Sequence, residues 1–237
     1  MPIYFKDWDL VVPGELLAEG DYKAGPGVLK EGNRLYSTTV GIFRLARGMV
    51  NVVALNGPYI PEVGDLVIGE VVDILPPNYV VDIRAPHTAL LHVSEASLKP
   101  VSPREEDLRS LYDVGDMLLA KVSSFERAFS PSLTCRERGL GKITKGMVLA
   151  IPPARVPRLI GRRSSMISMI RSETGCKIVV GQNGYVWVVS KSSEDEKLVA
   201  EAVRKVVEEA HVAGLTARVM SMLKARKRMG QGAGTQP

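Results

Sequence analysis

The sequence predicts a multidomain protein that is mostly β, with an α+β part at its C-terminal end. Short β-forming runs separated by Gly- and Pro-containing turns fill the chain up to about residue 140. Helical periodicity becomes prominent only after that point, where it alternates with strand patterns. A chain of 237 residues has room for one to three domains, each with a modest core. We therefore expect a small N-terminal β domain, a five-stranded barrel and a mixed C-terminal domain.

Residues 1–60 predict the N-terminal β domain. Leu35–Ile42 is rich in β-formers and is expected to be one strand, with alternate residues from Tyr36 onward sharing a face. Met49–Leu55 is expected to be a buried strand. The segment has 6 basic and 6 acidic side chains, so it does not favour a nucleic-acid site. A sheet this short has exposed edges, and both a docking role and a plain structural extension remain open.

Residues 61–140 predict a barrel of the OB type, because they contain five short strand patterns and no long helical one. Helical turns are expected between the third and fourth strands. With 8 basic and 13 acidic side chains, this segment has a net charge of −5. The expected strands are Leu66–Leu75, Tyr79–Arg84, Thr88–His92, Met117–Phe125 and Leu133–Arg136.

Residues 141–214 predict a domain in the order βααββα. A further helix is expected over residues 215–228, as a C-terminal segment, and disorder over residues 230–237. The expected elements are the strands Met147–Ile151, Cys176–Val180 and Tyr185–Val189, and the helices Val156–Ile160, Ser165–Thr174 and the one that Ser193 opens.

The loop between the first two of these helices has the most distinctive chemistry. It contains Arg162 and Arg163, and either Ser164 or Ser165 is expected to cap the following helix. A helix start with open N–H groups and two guanidinium groups suits a phosphate. Residues 141–237 carry 17 basic and 7 acidic side chains, so a polyanion is the favoured partner. A solvated basic surface is the plain alternative.

Several classes of protein are disfavoured. Cys135 and Cys176 are too far apart in sequence to form a recognised metal-ligand motif, and we expect both to be buried apolar residues. No signal-peptide pattern and no apolar run long enough for a membrane span occurs. No nucleophile stands beside a base in a known motif. We expect a cytoplasmic protein with no catalytic residues, metal, cofactor or membrane attachment.

The C-terminal pattern resembles a type I KH domain, in which an Ile-Gly-x-x-Gly loop joins the first two helices and clamps the nucleic-acid backbone. Here Ser164 stands at the second Gly position. The resemblance also covers the turn Gly181-Gln-Asn183-Gly184. It implies that this turn has a structural role. The RNA-binding residues implied by the resemblance are Arg158, Gly161, Arg162, Arg163, Ser164, Ser165 and Lys177.

The barrel resembles the S-one RNA-binding domain through Val63–Val72, Val80–Ile83 and Leu90–Glu95. The resemblance implies that side chains on strands two, three and five face RNA. Val80 stands where a stacking Phe is usual, so we expect weak single-strand binding, and a scaffold role is equally open. The candidate residues are His92, with Tyr79, Arg84 and Arg136 as looser matches.

The combination of modules resembles the RNA-binding cap subunits of the archaeal exosome. This resemblance implies three cap subunits, either three copies or a mixture with the zinc-ribbon cap protein, on a hexameric ring of nuclease subunits. The N-terminal domain would dock on the ring, and the other domains would recruit single-stranded RNA and thread it into the pore for 3′–5′ phosphorolytic degradation or tailing. Catalysis would lie in other chains. An S-one and KH transcription-termination or other regulatory RNA-binding factor is the main alternative, and a nuclease related to polynucleotide phosphorylase is the second.

Overall fold

The computed structural model describes residues 2–46, 48–55, 57–97, 105–126, 129–190, 192–209 and 214–232. For residues 105–107 and 227–232 it describes the backbone only. The chain divides into two compact units, Met1–Gly57 and Pro58–Pro237. No helix among the described residues is both long and apolar enough to cross a membrane.

The N-terminal unit contains two small sheets around one apolar core. The strands are β1 (Leu10–Val11), β2 (Leu16–Glu19), β3 (Lys23–Ala24), β4 (Val28–Glu31), β5 (Arg34–Ser37), β6 (Gly41–Ala46) and β7 (Met49–Ala54). One sheet has the strand order β2-β5-β4 and the other the order β1-β6-β7-β3. The core includes Leu17, Leu35, Phe43 and Val52.

The expectation of one continuous strand over Leu35–Ile42 is wrong. The chain bends after Ser37, whose buried hydroxyl donates a hydrogen bond to the Thr39 carbonyl at 2.7 Å. The residues before and after the bend, β5 and β6, therefore belong to different sheets. The bend allows Leu35 and Phe43, one from each sheet, to enter the same core. Strand β7 is half-buried rather than buried, because its alternate residues face solvent.

The predicted five-stranded barrel is confirmed. The elements are β8 (Leu66–Leu75), β9 (Asn78–Asp82), β10 (Ala89–His92), α1 (Val93–Ala96), α2 (Glu105–Leu111), β11 (Met117–Ser124) and β12 (Ser132–Thr134). The strands follow the order β12-β10-β9-β8-β11, and a second pairing of β12 with β11 closes the barrel. Strand β10 runs parallel to β12, and the other pairs in the barrel are antiparallel. A short strand, β13 (Gly141–Lys142), extends the sheet beside β11.

Two tyrosines fasten the helical insertion of the barrel to its core. Tyr79 and Tyr112 pack edge to face with ring centroids 5.3 Å apart. The Tyr79 hydroxyl donates to the Leu108 carbonyl at 2.8 Å, and the Tyr112 hydroxyl donates to the Ala96 carbonyl at 2.9 Å. The barrel interior therefore uses its aromatic rings for internal packing.

The predicted βααββα order of the C-terminal domain is confirmed. The elements are β14 (Met147–Ala150), α3 (Val156–Ile160), α4 (Ser165–Thr174), β15 (Lys177–Val180), β16 (Tyr185–Val189) and α5 (Ser193–Glu208). The antiparallel sheet has the order β14-β16-β15, and α3, α4 and α5 pack with the inward-facing strand residues in one core. Gly175 ends α4 in the left-handed conformation, as expected.

The last helix, α6 (Leu215–Gly232), joins the same core. Leu215, Val219 and Leu223 are buried among residues of α4 and α5. Residues predicted as a separate C-terminal segment thus complete the domain before them. The helix continues to Gly232, beyond the expected end at Arg228, and the rest of the tail predicted to be disordered, residues 233–237, lies outside the described part of the chain.

Candidate nucleic-acid interface

The basic loop begins at Gly161, where α3 ends. Gly161 has a φ of 76°, and its N–H donates to the Pro157 carbonyl at 2.9 Å. A Cβ at this position would lie 2.8 Å from the backbone nitrogen of Met166. Glycine is therefore required here both for its backbone angle and because α4 approaches closely.

The next residues turn the chain into α4 with an unusual backbone. Arg163 and Ser164 both have positive φ, at 50° and 62°. Left-handed backbone costs a non-glycine residue about 1–2 kcal/mol. Ser164 thus retains a backbone angle that the usual second Gly would adopt freely.

The expectation that a serine side chain caps α4 is not met. Ser164 occupies the N-cap position, but its side chain makes no capping hydrogen bond. A capping side chain needs an extended backbone at the N-cap, and Ser164 is left-handed. Ser165 lies inside the first turn instead.

The loop presents its charges to solvent. Arg162, Arg163 and Ser165 are exposed, as is Arg158 on the preceding helix. The guanidinium groups stand at the positive end of the α4 dipole, where an anion is favoured. This arrangement can hold phosphate groups without reading bases.

Lys177 does not belong to this loop. It lies at the start of β15, after the C-terminal end of α4, and ten helical residues span about 15 Å. Its ammonium group instead lies 5.2 Å from the ring centroid of Trp187. The structure therefore divides the predicted KH residues between two places.

The turn from Gly181 to Gly184 joins the KH domain to the barrel. The Asn183 side chain is fully buried, and its amide nitrogen donates to the carbonyls of Ile68 and Ile83 at 2.6 and 2.9 Å. Its amide oxygen accepts from the Ile68 N–H at 3.3 Å. Gly184 has a φ of 86°, and a Cβ there would overlap the Ile151 carbonyl oxygen. The turn therefore has a structural role, because the Asn183 side chain binds backbone groups of the barrel.

Arg84 reinforces the same junction. Its guanidinium donates to the Ile151 carbonyl at 3.1 Å and stacks over Tyr185 at 5.0 Å from the ring centroid. These contacts connect Arg84, two residues after β9, with β16 and with the residue that follows β14. Arg84 therefore has a structural role in this arrangement, which the sequence reading did not anticipate.

His92 and Arg136 converge on α1. The His92 Nδ1 lies 2.8 Å from the Ser94 hydroxyl and accepts from the Ser94 N–H, so His92 caps α1. Arg136 forms an ion pair with Glu95 at 3.6 Å, and Glu95 also accepts from the Thr134 hydroxyl. Both predicted residues are exposed, but Arg136 is paired with an acidic group.

The suggestion that Tyr79 faces RNA is wrong. Its side chain is 0% exposed, and burial raises the pKa of its hydroxyl to about 12. A ring inside the barrel core offers no face to a base, so Tyr79 provides no stacking platform.

Trp187 was not among the residues predicted to bind RNA. Its neighbours Val186 and Val188 are fully buried on the helix side of the sheet, so strand alternation turns Trp187 to the other side. This alternation along β16 was the sequence signal that could have identified Trp187 as a residue on the outer face. Within the described residues, no three His, Cys, Asp or Glu side chains are grouped as metal ligands would be.

Comparison with known proteins identifies each module. Residues 9–56 match the N-terminal domain of the exosome RNA-binding protein RRP4, and residues 58–124 match the S1 (S-one) domain of RRP4. Residues 146–194 match a KH domain.

Relatives that align over most of the chain are also exosome components. The chain is 44% identical to the exosome complex component Rrp4 of Thermococcus kodakarensis over 228 residues, which cover 95% of this chain and 89% of the relative. It is 41% identical to Rrp4 of Thermofilum pendens over 229 residues, covering 95% and 97%. A crystal structure of a chain assigned to the RNA-binding proteins of the exosome superposes with a TM-score of 0.68 at 37% identity, covering 73% of this chain and 99% of that one. The chain therefore belongs to the Rrp4 family of exosome RNA-binding proteins.

Proposed function

We propose that this chain is a non-catalytic RNA-binding cap subunit of an exosome. It collects single-stranded RNA and guides it into the pore of a hexameric ring of nuclease subunits, which degrade or tail the RNA from its 3′ end. Three caps sit on one ring, either as three copies of this chain or mixed with a zinc-ribbon cap protein. The assembly geometry follows from the family resemblance.

The observation that carries the proposal is the exposed Arg162–Arg163 loop, on a KH domain that Asn183 fixes to an S-one barrel. Phosphate contacts from such a loop are independent of sequence, which suits a protein that handles many RNAs. The barrel has a net charge of −5, and its Tyr79 ring is buried. The contribution of the barrel to RNA affinity is therefore small. The KH domain therefore supplies most of the RNA affinity, and the barrel guides the bound RNA.

The N-terminal unit supplies the docking surface. On the outer face of its four-stranded sheet, Leu10 pairs with Ile42 and Ile42 pairs with Val53, so the three side chains form one apolar row. Beside this row Trp8 is 63% exposed, has a φ of 81° and lies under the Arg44 guanidinium at 4.3 Å. An exposed Trp–Arg pair on an apolar face is typical of protein interfaces. The balanced charge of this unit favours a protein over RNA.

A degradation assay tests the proposal. The purified chain is incubated with single-stranded RNA, inorganic phosphate and Mg²⁺, with and without a matching nuclease ring. We expect no shortening by the chain alone and faster shortening by the ring when the chain is present. Degradation by the chain alone would identify an enzyme instead. RNA binding without any effect on the ring would favour the regulatory-factor alternative.

A further inference from the structure

Trp187 and Lys177 form a cation–aromatic pair on the outer face of the KH sheet. In the register of that sheet, Lys177 pairs with Val189, and Trp187 pairs with Val148 and Val179. Paired residues share a face, and the intervening residues Val186 and Val188 are buried against the helices. The pair therefore lies on the side of the sheet opposite the helices.

The indole has no unmet hydrogen bond. Its Nε1–H donates to the Lys145 carbonyl at 2.8 Å, which fixes the orientation of the ring. Trp187 is half-buried, while Lys177 is exposed and holds its ammonium 5.2 Å from the ring centroid. A ring with a solvent-exposed cation above it has a face at the protein surface. What this ring still offers to a ligand is stacking.

The charges around the pair favour an anion. Lys145 and Lys177 are exposed on either side of Trp187, and the exposed Arg171 donates to the Ile178 carbonyl next to Lys177. An aromatic face flanked by cations is the chemistry that binds single-stranded nucleic acid, because the base stacks and the cation holds the phosphate.

We propose that Trp187 and Lys177 form a second RNA subsite, in which one unpaired nucleobase stacks on Trp187 and Lys177 binds the adjacent phosphate. When the base stacks on the ring, the Lys177 ammonium moves from the ring to the phosphate. This subsite lies on β15 and β16, which follow α4 in the chain, whereas the Arg162–Arg163 loop precedes α4. It rests on the proposed RNA-collecting function and adds a stacking contact, on a different face, to the phosphate contacts of the loop.

Tryptophan fluorescence tests the subsite directly. The chain has two tryptophans, so the full-length Trp8→Phe variant reports Trp187 alone. This variant is titrated at low salt with a short labelled oligoadenylate, and binding is followed independently by anisotropy of the label. We expect Trp187 fluorescence to fall in parallel with binding. Saturated binding with unchanged Trp187 fluorescence would overturn the subsite but leave the proposed function intact. No binding of labelled RNA at all would overturn both.

Substitutions separate stacking from charge. Trp187→Leu keeps an apolar side chain and is expected to weaken RNA binding about tenfold, without changing the slope of log affinity against log salt. Lys177→Ala is expected to lower that slope by about 0.7, as for one phosphate contact on a single strand. Lys197→Ala removes an exposed charge from α5, in the helical layer of the same domain, and serves as the control. Wild-type affinity for Trp187→Leu, or equal slopes for Lys177→Ala and Lys197→Ala, would contradict the proposal.

Discussion

At the scale of single residues, this protein places its most important polar side chain where no solvent reaches it. Asn183 satisfies both backbone groups of Ile68 and the carbonyl of Ile83, over a sequence separation of 100 residues or more. Buried polar groups are costly when unpaired, so these three hydrogen bonds make the register between barrel and KH domain specific. A single amide thus connects two domains that the sequence separates.

Replacing Asn183 with Ala should destabilise the chain by about 3 kcal/mol, because the substitution leaves three backbone groups of the barrel without partners. Urea unfolding of the full chain measures the change. Gln182→Ala is the matched control, since Gln182 contributes its backbone N–H to the Leu66 carbonyl and keeps it after substitution. Equal stabilities for the two variants would show that the Asn183 side chain does not hold the junction.

At the scale of elements, the loop between α3 and α4 combines a strained backbone with concentrated charge. Gly161 is required by the approach of α4, whereas Arg163 and Ser164 adopt left-handed angles despite their side chains. The strain is offset by the buried packing of α3 and α4 on either side, which includes Leu159 and Met166. The packed helices thus position the loop so that its arginines are exposed to solvent.

The double substitution Arg162→Glu with Arg163→Glu should weaken RNA binding several-fold and lower the salt slope by about 1.4, as for two lost phosphate contacts. Affinity for a single-stranded RNA is measured at several salt concentrations. Lys197→Glu with Arg204→Glu makes the same change of charge on the exposed side of α5 and controls for long-range electrostatics. An unchanged slope in the loop variant would place the main RNA site elsewhere.

At the scale of the whole molecule, charge and exposed apolar surface are distributed unevenly along the chain. The N-terminal unit is electrically balanced and has an apolar outer face, and residues 141–237 carry the excess of basic groups. Residues 61–140, which form the barrel, have a net charge of −5. This distribution supports the proposal that the N-terminal unit docks on protein and that the KH domain binds RNA.

Trp8→Ala should abolish stable association with the nuclease ring, because it removes the exposed anchor of the apolar face without touching the core of its unit. Co-purification with the ring is the measurement. Leu29→Ala is the control, since Leu29 is 48% exposed on β4 in the other sheet of the same unit. If Trp8→Ala still assembles but removal of residues 1–57 does not, the unit docks through another face. Assembly by both variants would reject docking through this unit.

Much of the fold was predictable because local patterns determine it. The Ser165–Thr174 helix, the Leu66–Leu75 strand and the Tyr185–Val189 strand lie where periodicity placed them. The Leu35–Ile42 strand was not predictable in this way, since β-propensity does not reveal that two halves of one run enter different sheets. Likewise, the alternation of residues along β16 indicates that the strand has two faces. It does not reveal that the Lys177 ammonium lies over the Trp187 ring.

The sequence by itself determined the order of modules, the basic character of the C-terminal part and the family to which the chain belongs. Hydrophobic periodicity, turn residues and charge are local properties, and each can be read along the chain. The tertiary structure alone decided that Tyr79 is internal, that Arg84 and Asn183 join the KH domain to the barrel, and that Lys177 meets Trp187. These outcomes depend on contacts between residues distant in sequence, and the burial of a side chain is set by what the rest of the chain packs against it.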